Sequence, residues 1–333
     1  MPIPHLHLQL FEQLRQWIVP SDQRHLKVFA EIMAAMLQSQ SACLSHWIPL
    51  LGHRDCTARS HMERLSYFVH NSRIMAQTFY VPLLKHFLQA FAGLPLELTL
   101  DTSVLWDQFC LVEICVIWGG RSITLAQVVL EHGSATVAFE DYYPVLEAAL
   151  ALVPEGSSVS LLADRGFLHS ELIRWLRRQG WSWAIRGKVD TQITFASGVT
   201  KSAQDLCPPP EAAYLFRDIT VFEDITCQLA TANMPSAKEN WIVLSDQAPS
   251  IQLFAFYGRR FGGIEPHLKD YKSAAFKILD THLRDAQALT CLVMLLDCAT
   301  LLAIGLGMMV VRIGQRARLD WHPTRGLSFL QLG

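Results

Sequence analysis

The sequence predicts an α/β protein in which helices flank a mixed sheet. From Leu94 onward, short apolar runs of strand length alternate with helical segments, in the order three strands, helix, strand, helix, strand. This order is typical of a mixed sheet with helices packed against it. With 333 residues, 51% of them hydrophobic, the chain can bury a core large enough for more than one domain.

Residues 1–90 are predicted to form a helical N-terminal domain. The stretch KVFAEIMAAMLQ repeats apolar residues at spacings of three and four, and shorter helices follow, broken at Gly52 and capped near Thr57 or Ser60. The arginines of this part are Arg54, Arg59, Arg64 and Arg73. A small DNA-binding domain and a plain helical bundle with solvated arginines both fit this pattern.

Residues 91–187 are predicted to begin the α/β domain. In LPLELTLDTS, leucines alternate with Glu97, Thr99 and Asp101, which is the period of a strand with one face in a core. Asp101 therefore points away from the leucines. The runs FCLVEICVIW and RSITLAQVVL, separated by Gly119 and Gly120, predict a hairpin.

The same part continues with helix and strand in alternation. A helix is predicted from near Pro144 to just before Pro154, because proline suits the first turn of a helix and its end. The strand SSVSLLAD follows, then the helix HSELIRWLRRQ, which Gly180 closes, then the strand WSWAIRG.

Residues 188–240 are predicted to be a β-rich insertion, and residues 241–333 the rest of the domain with C-terminal helices. In the insertion, AYLFRDITVFEDITCQLAT alternates like a β-ribbon, and WIVLSD after it predicts a buried strand. The apolar segment 291–311 is long enough to cross a bilayer, but Asp297 lies inside it and two glycines interrupt it. We expect it to be a buried core helix, with no membrane as a partner.

Charge and cysteine content set limits on partners and compartment. The net charge of −2 predicts no general affinity for polyanions, so a nucleic-acid surface must come from local clusters of Lys and Arg. The eight cysteines form no CxxC pair, which favours reduced thiols. The N-terminus lacks the features of a signal peptide, so we expect a cytoplasmic protein.

Three acids stand at the ends of predicted elements: Asp101 on the first strand, Asp164 after the fourth, and Glu265 before a late helix. If the first and fourth strands are neighbours, about 4.8 Å apart, the two aspartates converge. Converging carboxylates suit Mg²⁺ or Mn²⁺, and two such ions can support phosphoryl transfer. The alternative for each aspartate alone is a strand-end cap or a salt bridge with Arg121 or Arg165.

The surroundings of Glu265 predict a helix start. Gly262 and Gly263 are expected to break the chain, and Pro266 suits the first helical position, so that Glu265 caps the helix. Lys269 and Lys272 would then lie on one helical face, available to phosphate oxygens.

These acids and their neighbours resemble the DDE transposases of bacterial insertion sequences, specifically the insertion-sequence-four family. Its signature is Tyr, two residues, Arg, three residues, Glu, six residues, Lys, and this chain has Tyr257, Arg260, Glu265 and Lys272. One extra residue separates Arg260 from Glu265, so either Arg259 or Arg260 fills the arginine role. LTLDTS and LLADRGF resemble the segments that carry the family's two aspartates, and the resemblance covers about residues 90–285.

The resemblance implies a fold and an activity. The fold is a ribonuclease H-like sheet with a β-rich insertion before the last acid. The activity is metal-dependent cleavage of DNA at the ends of a mobile element, followed by attack of the freed 3′-hydroxyl on target DNA. Asp101, Asp164 and Glu265 would be the catalytic, metal-binding acids. The residues expected to bind DNA are Tyr257, Arg259, Arg260, Lys269, Lys272 and Arg165.

The resemblance also implies partners and leaves alternatives open. The partners are double-stranded DNA, as terminal inverted repeats and target, and a second copy of the chain, in the nucleoid of a bacterial cytoplasm. A ribonuclease H-like nuclease without strand transfer and a catalytically decayed DNA-binding relic are the alternatives. Trp183 or Trp241 would either stack on a flipped base or pack in the core.

Overall fold

The computed structural model describes residues 5–51, 56–235 and 237–333. These residues include one ten-stranded sheet. Its strands are β1 (Leu96–Leu105), β2 (Phe109–Trp118), β3 (Arg121–Leu130), β4 (Val159–Ala163), β5 (Ser182–Arg186), β6 (Gln192–Thr194), β7 (Thr200–Ser202), β8 (Ala213–Val221), β9 (Ile225–Ala232) and β10 (Trp241–Ser245).

Helices precede the strands, lie between them and follow them along the chain. They are α1 (Leu6–Leu14), α2 (Gln23–Ser39), α3 (Leu44–Trp47), α4 (Ala58–Val69), α5 (Ala76–Phe79), α6 (Val81–Leu88), α7 (Phe139–Leu150), α8 (Ser170–Gln179), α9 (Gln252–Lys269), α10 (Ala286–Arg312) and α11 (Phe329–Leu332).

The sheet is mixed, as predicted. Its order is β3-β2-β1-β4-β5-β10-β9-β8-β6-β7. Strand β1 pairs antiparallel with β2 and parallel with β4, and β4 pairs parallel with β5. The turn between β2 and β3 uses Gly119 and Gly120, both with positive φ, as the predicted hairpin requires. The first and fourth strands are therefore neighbours, and their ends meet at one edge of the sheet.

The β-rich interval predicted at residues 188–240 does contain strands β6 to β9. These strands extend the main sheet, because β9 pairs antiparallel with β10 over five residue pairs from Trp241↔Ala232 to Ser245↔Gln228. The domain boundaries at 90, 187 and 240 stay a prediction.

Helix α7 begins earlier than the start predicted near Pro144. It begins at Phe139, and the Asp141 carboxylate accepts a hydrogen bond from the Ala138 backbone N–H at 2.8 Å. This cap fixes the start one and a half turns before the proline. Burial of Tyr142 and Val145 on one face explains why the helix tolerates Pro144 inside it.

The helix break predicted at Gly262 and Gly263 is wrong. Helix α9 runs without interruption from Gln252 to Lys269, so Glu265 and Pro266 lie inside it and Glu265 is not a cap. A Cβ at Gly263 would meet the Ser122 Oγ at 2.9 Å and the Ile117 side chain at 3.0 Å. The glycine therefore allows the helix to lie close on β2 and β3, and tertiary packing outweighs the local breaking signal.

Helix α10 is the apolar segment, and it is a core helix as predicted. By length and composition it alone among the described helices could cross a membrane, but 78% of its most apolar window is buried in the protein. It contacts β3, α2 and α4. The buried Asp297 carboxylate accepts hydrogen bonds from the Tyr271 hydroxyl at 2.6 Å and the Gln127 side chain at 2.7 Å.

The N-terminal helices pack against this core helix. Thr57 caps α4, accepting a hydrogen bond from the Ser60 N–H at 3.2 Å, as the sequence predicted. Arg64 pairs with Glu31 of α2 at 2.7 Å and is largely buried, so it is not a solvated arginine. Gly52 and Arg54 lie outside the described residues.

Candidate active site

Asp101 and Asp164 lie side by side at one edge of the sheet. The last paired residues of β1 and β4 include Leu100↔Ala163, so the next residue of each parallel chain is an aspartate at the same level. Neighbouring strands are about 4.8 Å apart, and residues at equal level direct their side chains to the same face. That face is the one on which α9 packs, because Leu162 and Tyr257 share a buried cluster there.

Arg260 of α9 holds Asp101. Its guanidinium Nη2 lies 2.7 Å from the Asp101 Oδ2, and both side chains are largely buried. The other carboxylate oxygen, Oδ1, accepts a hydrogen bond from the Thr102 N–H at 2.9 Å. Burial raises the pKa of Asp101, and the charge of Arg260 offsets part of that rise, while the nearby Asp164 adds to it. The arginine thus neutralises one of two adjacent acids.

Asp164 differs from Asp101 because its carboxylate is not engaged. Its backbone begins a short 3₁₀ turn, Arg165–Phe167, but its side chain does not cap that turn. Among the described residues, no hydrogen bond or salt bridge to this carboxylate is found. It nevertheless lies close enough to Tyr257 and Arg260 to influence their pKa values. A free carboxylate beside a paired one leaves oxygen atoms available for a cation.

A second buried pair lies beneath the first. Glu113 of β2 is the cross-strand partner of Asp101, and His267 of α9 approaches it with Nε2 3.6 Å from Oε1. Both side chains are almost fully buried. Burial opposes protonation of His267, but the surrounding carboxylates, Glu113 first and then Asp297 and Asp270, together raise the pKa of the histidine. Arg260 and His267, two helical turns apart, therefore each face one carboxylate of an adjacent pair.

Glu265 lies away from this edge. It is five residues after Arg260, which places it about 140° further round the helix. It is exposed, and with Arg121, Lys269 and Gln331 it lines a separate cavity of about 410 Å³. The position four residues after Arg260 is occupied by the buried Ile264. The structure therefore brings Asp101 and Asp164 together and does not bring Glu265 to them.

No three-acid group is assembled in this conformation. Across residues 5–51, 56–235 and 237–333, no cluster of three or more His, Cys, Asp or Glu side chains is close enough to hold a metal ion. A π-helical segment, Asp270–Ala274, follows α9 directly. A π-turn accommodates one extra residue in a helix. Lys272 lies in it, half-buried, so Lys269 and Lys272 do not share a regular α-helical face.

The predicted DNA-binding residues divide into buried and exposed ones. Tyr257 and Arg260 are buried, and burial raises the pKa of Tyr257 to about 12. Arg259 pairs with Glu97, and Arg165 with Glu239 at 3.0 Å, yet both arginines keep much of their surface. Lys269 is exposed. Only the exposed members present cations to solvent in this conformation.

The alternative partners considered for the aspartates are otherwise engaged. Arg121 binds Asp270 at 2.6 Å, and Arg165 binds Glu239, so neither forms the salt bridge that would account for Asp101 or Asp164. Trp183 is fully buried in the core. Trp241 is partly buried and packs against Tyr257, with ring centroids 5.9 Å apart.

The sequence argument missed Glu113 and the role of Arg260 as the partner of Asp101. A signal for Glu113 was present, because it is a lone charge in the buried run FCLVEICVIW. A buried charge requires a partner, and that partner is His267. The partner of Asp101 had no local signal, since 159 positions separate it from Arg260 along the chain.

Comparison with known proteins indicates the family of this chain. A family model described as "Transposase DDE domain" matches residues 110–302, which is more than half of the chain and includes Asp164 and Glu265. Asp101 lies just before the matched range. None of the curated proteins matches the chain significantly.

The chain is also similar to a solved structure. It is a cryo-electron-microscopy structure of a piggyBac transposase synaptic complex with hairpin DNA. It is 11% identical to this chain, with a TM-score of 0.49, and the match covers 88% of this chain and 71% of that one. A similarity of this size does not bear on the assignment of individual residues.

Proposed function

The chain belongs to the family of transposase DDE domains, polynucleotidyl transferases of DNA transposition, and on this basis we propose that Asp101 and Asp164 form its site of phosphodiester cleavage and strand transfer. The observation that carries the proposal is the alignment of the two aspartates on neighbouring parallel strands, beside a basic helix. Such a pair places two carboxylates where the backbone of a DNA strand can approach the sheet edge.

The residues of this edge fit a divalent cation, which domains of this family use. Asp164 has a carboxylate without a partner among the described residues, and Asp101 lies next to it. Hard cations such as Mg²⁺ bind through one or two carboxylates together with waters and substrate phosphate. We assign Mg²⁺ or Mn²⁺, as a pair of ions, to this edge. Bound divalent ions would activate the attacking oxygen and stabilise the leaving one.

Arg260 has a defined part in this proposal. It holds Asp101 in place and neutralises the buried carboxylate while no cation is bound. An arginine and a metal ion compete for the same oxygen. Arg260 must therefore release Asp101 when a divalent cation binds to it. A DNA phosphate is the group that the released guanidinium would bind, in bidentate geometry.

The third acid of the proposal remains Glu265. In the described conformation Glu265 faces the other side of α9. To reach the two aspartates, this part of the helix would have to rotate about its axis by about one residue, or 100°. The one extra residue between Arg260 and Glu265, and the π-segment that follows, are where such a turn would be accommodated. Tyr257 and Arg260 would support the site from within, and Arg165, Arg259, Lys269 and Lys272 would contact phosphates from its rim.

The finer assignment follows the signature residues. Tyr257, Arg260, Glu265 and Lys272 support membership of the insertion-sequence-four family. We therefore propose that the substrates are terminal inverted repeats and target DNA, bound by a homodimer in the bacterial cytoplasm.

A cleavage assay tests the proposal. The full chain is incubated with labelled duplexes taken from the DNA on either side of its coding sequence, with Mg²⁺ or Mn²⁺. We expect wild type to nick and join these duplexes, and Asp101→Asn and Asp164→Asn to bind without cleaving. Glu97→Gln, on the same strand as Asp101, is the matched control and keeps activity. Cleavage that persists in Asp164→Asn would overturn the site, and cleavage without joining would indicate a nuclease.

A further inference from the structure

Hydrogen bonds to one buried carboxylate organise the loop that follows α10. Asp320 is fully buried and accepts hydrogen bonds from the backbone N–H groups of Gly326 at 2.8 Å and Leu327 at 3.2 Å. It also accepts from His322 Nδ1 at 2.6 Å and from Arg316 at 3.1 Å. Arg316 in turn donates to loop carbonyl groups. These bonds hold residues 316–327 in a single conformation.

This rigid loop displays a tryptophan in solvent. Trp321, next to the buried Asp320, is 85% exposed. Its ring stacks on His322, with centroids 4.1 Å apart and planes at 25°. Tryptophan is highly buried on average, so an exposed indole ring beside a hydrogen-bonded carboxylate is a candidate binding surface. The stacked histidine fixes one face of the indole, and the other face is open.

The sequence on either side of Trp321 is positively charged. Residues 306–327 contain four arginines and one acid, and that acid is the buried Asp320. Arg312, Arg318 and Arg325 are exposed. Arg325 lies over the Phe329 ring at 4.0 Å. An exposed aromatic ring among cations is the arrangement by which proteins bind single-stranded nucleic acid, because bases stack on the ring and phosphates meet the cations.

The loop is connected to the neighbourhood of the candidate site. Phe329 of α11 stacks on Trp118 at the end of β2, with centroids 5.5 Å apart. Gln331 of the same helix lines the cavity that Glu265 and Lys269 also line. Helix α11, which the basic loop directly precedes in the chain, therefore contacts both β2 and the cavity that Glu265 and Lys269 line.

We propose that residues 312–325 bind a single-stranded stretch of DNA, with a base stacked on Trp321 and phosphates on Arg312 and Arg318. The inference rests on the proposed function only in taking DNA as the substrate. DNA fits this surface because its bases stack on an indole ring and its phosphates bind arginine side chains. A contact between two copies of the chain is the alternative outcome of the test. A strand separated from its complement near a cleavage site supplies such a stretch.

Fluorescence anisotropy with a labelled single-stranded oligonucleotide tests the proposal on the full chain. We expect Trp321→Ala to weaken binding about five- to 150-fold, the range that loss of one stacked base gives. Trp321→Phe should restore most of the affinity. Tyr67→Ala, which removes the 68% exposed aromatic ring of α4, is the matched control and should leave binding unchanged.

The salt dependence supplies a second, independent measurement. Arg318→Gln should lower the slope of log K against log salt by about 0.7, the value for one phosphate contact on a single strand. Unchanged affinity in Trp321→Ala, or a change in its sedimentation instead of its DNA binding, would overturn the inference and favour a contact between copies. Failure of the proposed function is distinguishable, because it appears as persistent cleavage in Asp164→Asn, whatever the oligonucleotide affinity.

Discussion

Arg260 and Asp101 form a buried salt bridge, 2.7 Å between Nη2 and Oδ2, at the point where the sequence predicts a cation. Arg260 belongs to the Tyr, Arg, Glu, Lys signature and Asp101 is one of the three predicted catalytic acids, so two predicted site residues are bound to each other. Asp164 beside them keeps its carboxylate free of partners among the described residues. The pair explains how two adjacent acids coexist at a largely buried edge before any ligand binds.

The first prediction concerns competition between arginine and metal. Arg260→Gln removes the positive charge that opposes a cation at Asp101, so the free protein should bind Mn²⁺ more tightly, by about tenfold, as 1.4 kcal/mol of lost competition gives. Calorimetric titration with Mn²⁺ measures this. Arg259→Gln is the matched control, because Arg259 binds Glu97 and not Asp101. Equal or weaker Mn²⁺ binding in Arg260→Gln would show that the arginine does not compete.

The second prediction concerns Glu265. Since it is exposed and faces another cavity, Glu265→Gln should leave the Mn²⁺ affinity of the free protein within about twofold of wild type, a surface change with no lost ligand. The same variant should lose cleavage of DNA if the glutamate joins the site only with substrate bound. Loss of Mn²⁺ affinity without DNA would mean that Glu265 is already a ligand in the free protein.

The third prediction concerns the adjacent glycines of α9, Gly262 and Gly263. Gly263→Ala places a methyl group 2.9 Å from the Ser122 Oγ, so it should lower the free energy of unfolding by about 1–3 kcal/mol. Gly262→Ala meets nothing within 4 Å and should raise it by up to about 1 kcal/mol, as alanine favours helix. Urea denaturation of both variants measures the difference. Equal effects would contradict the close approach of α9 to β2 and β3.

The fourth prediction concerns Asp297. Burial raises its pKa to about 7, well above its value in an unfolded chain. Between about pH 4 and pH 7 the folded state therefore holds a proton that the unfolded state releases, and stability falls as pH rises through this window. Asp297→Asn cannot ionise, so the free energy of unfolding of the variant, relative to that of wild type, should increase from pH 4 to pH 7. Urea denaturation at several pH values measures the gain, and parallel curves for the two proteins would contradict it.

The strands and the paired aspartates were predictable because their signals are local. Leucines alternate with Glu97, Thr99 and Asp101 as in a half-buried strand, and Asp164 directly follows a continuous apolar run. Neighbouring first and fourth strands then suffice to bring the two acids together.

The rotation of α9 was not predictable because it depends on packing across the chain. Gly262, Gly263 and Pro266 are breaking signals by themselves, yet contact of Gly263 with β2 and β3 keeps the helix continuous. That continuity turns Glu265 away from Asp101. Likewise, nothing local indicates that the partner of Arg121 is Asp270 instead of Asp101.

Mn²⁺ binding by wild type and Asp164→Asn tests the central claim most directly. If Asp101 and Asp164 together form the metal site, calorimetry should show binding to wild type and a loss of about tenfold or more in Asp164→Asn, as removal of one carboxylate ligand predicts. Both proteins should unfold at the same urea concentration. Equal Mn²⁺ affinity in the two proteins would contradict the claim that these two aspartates are the site.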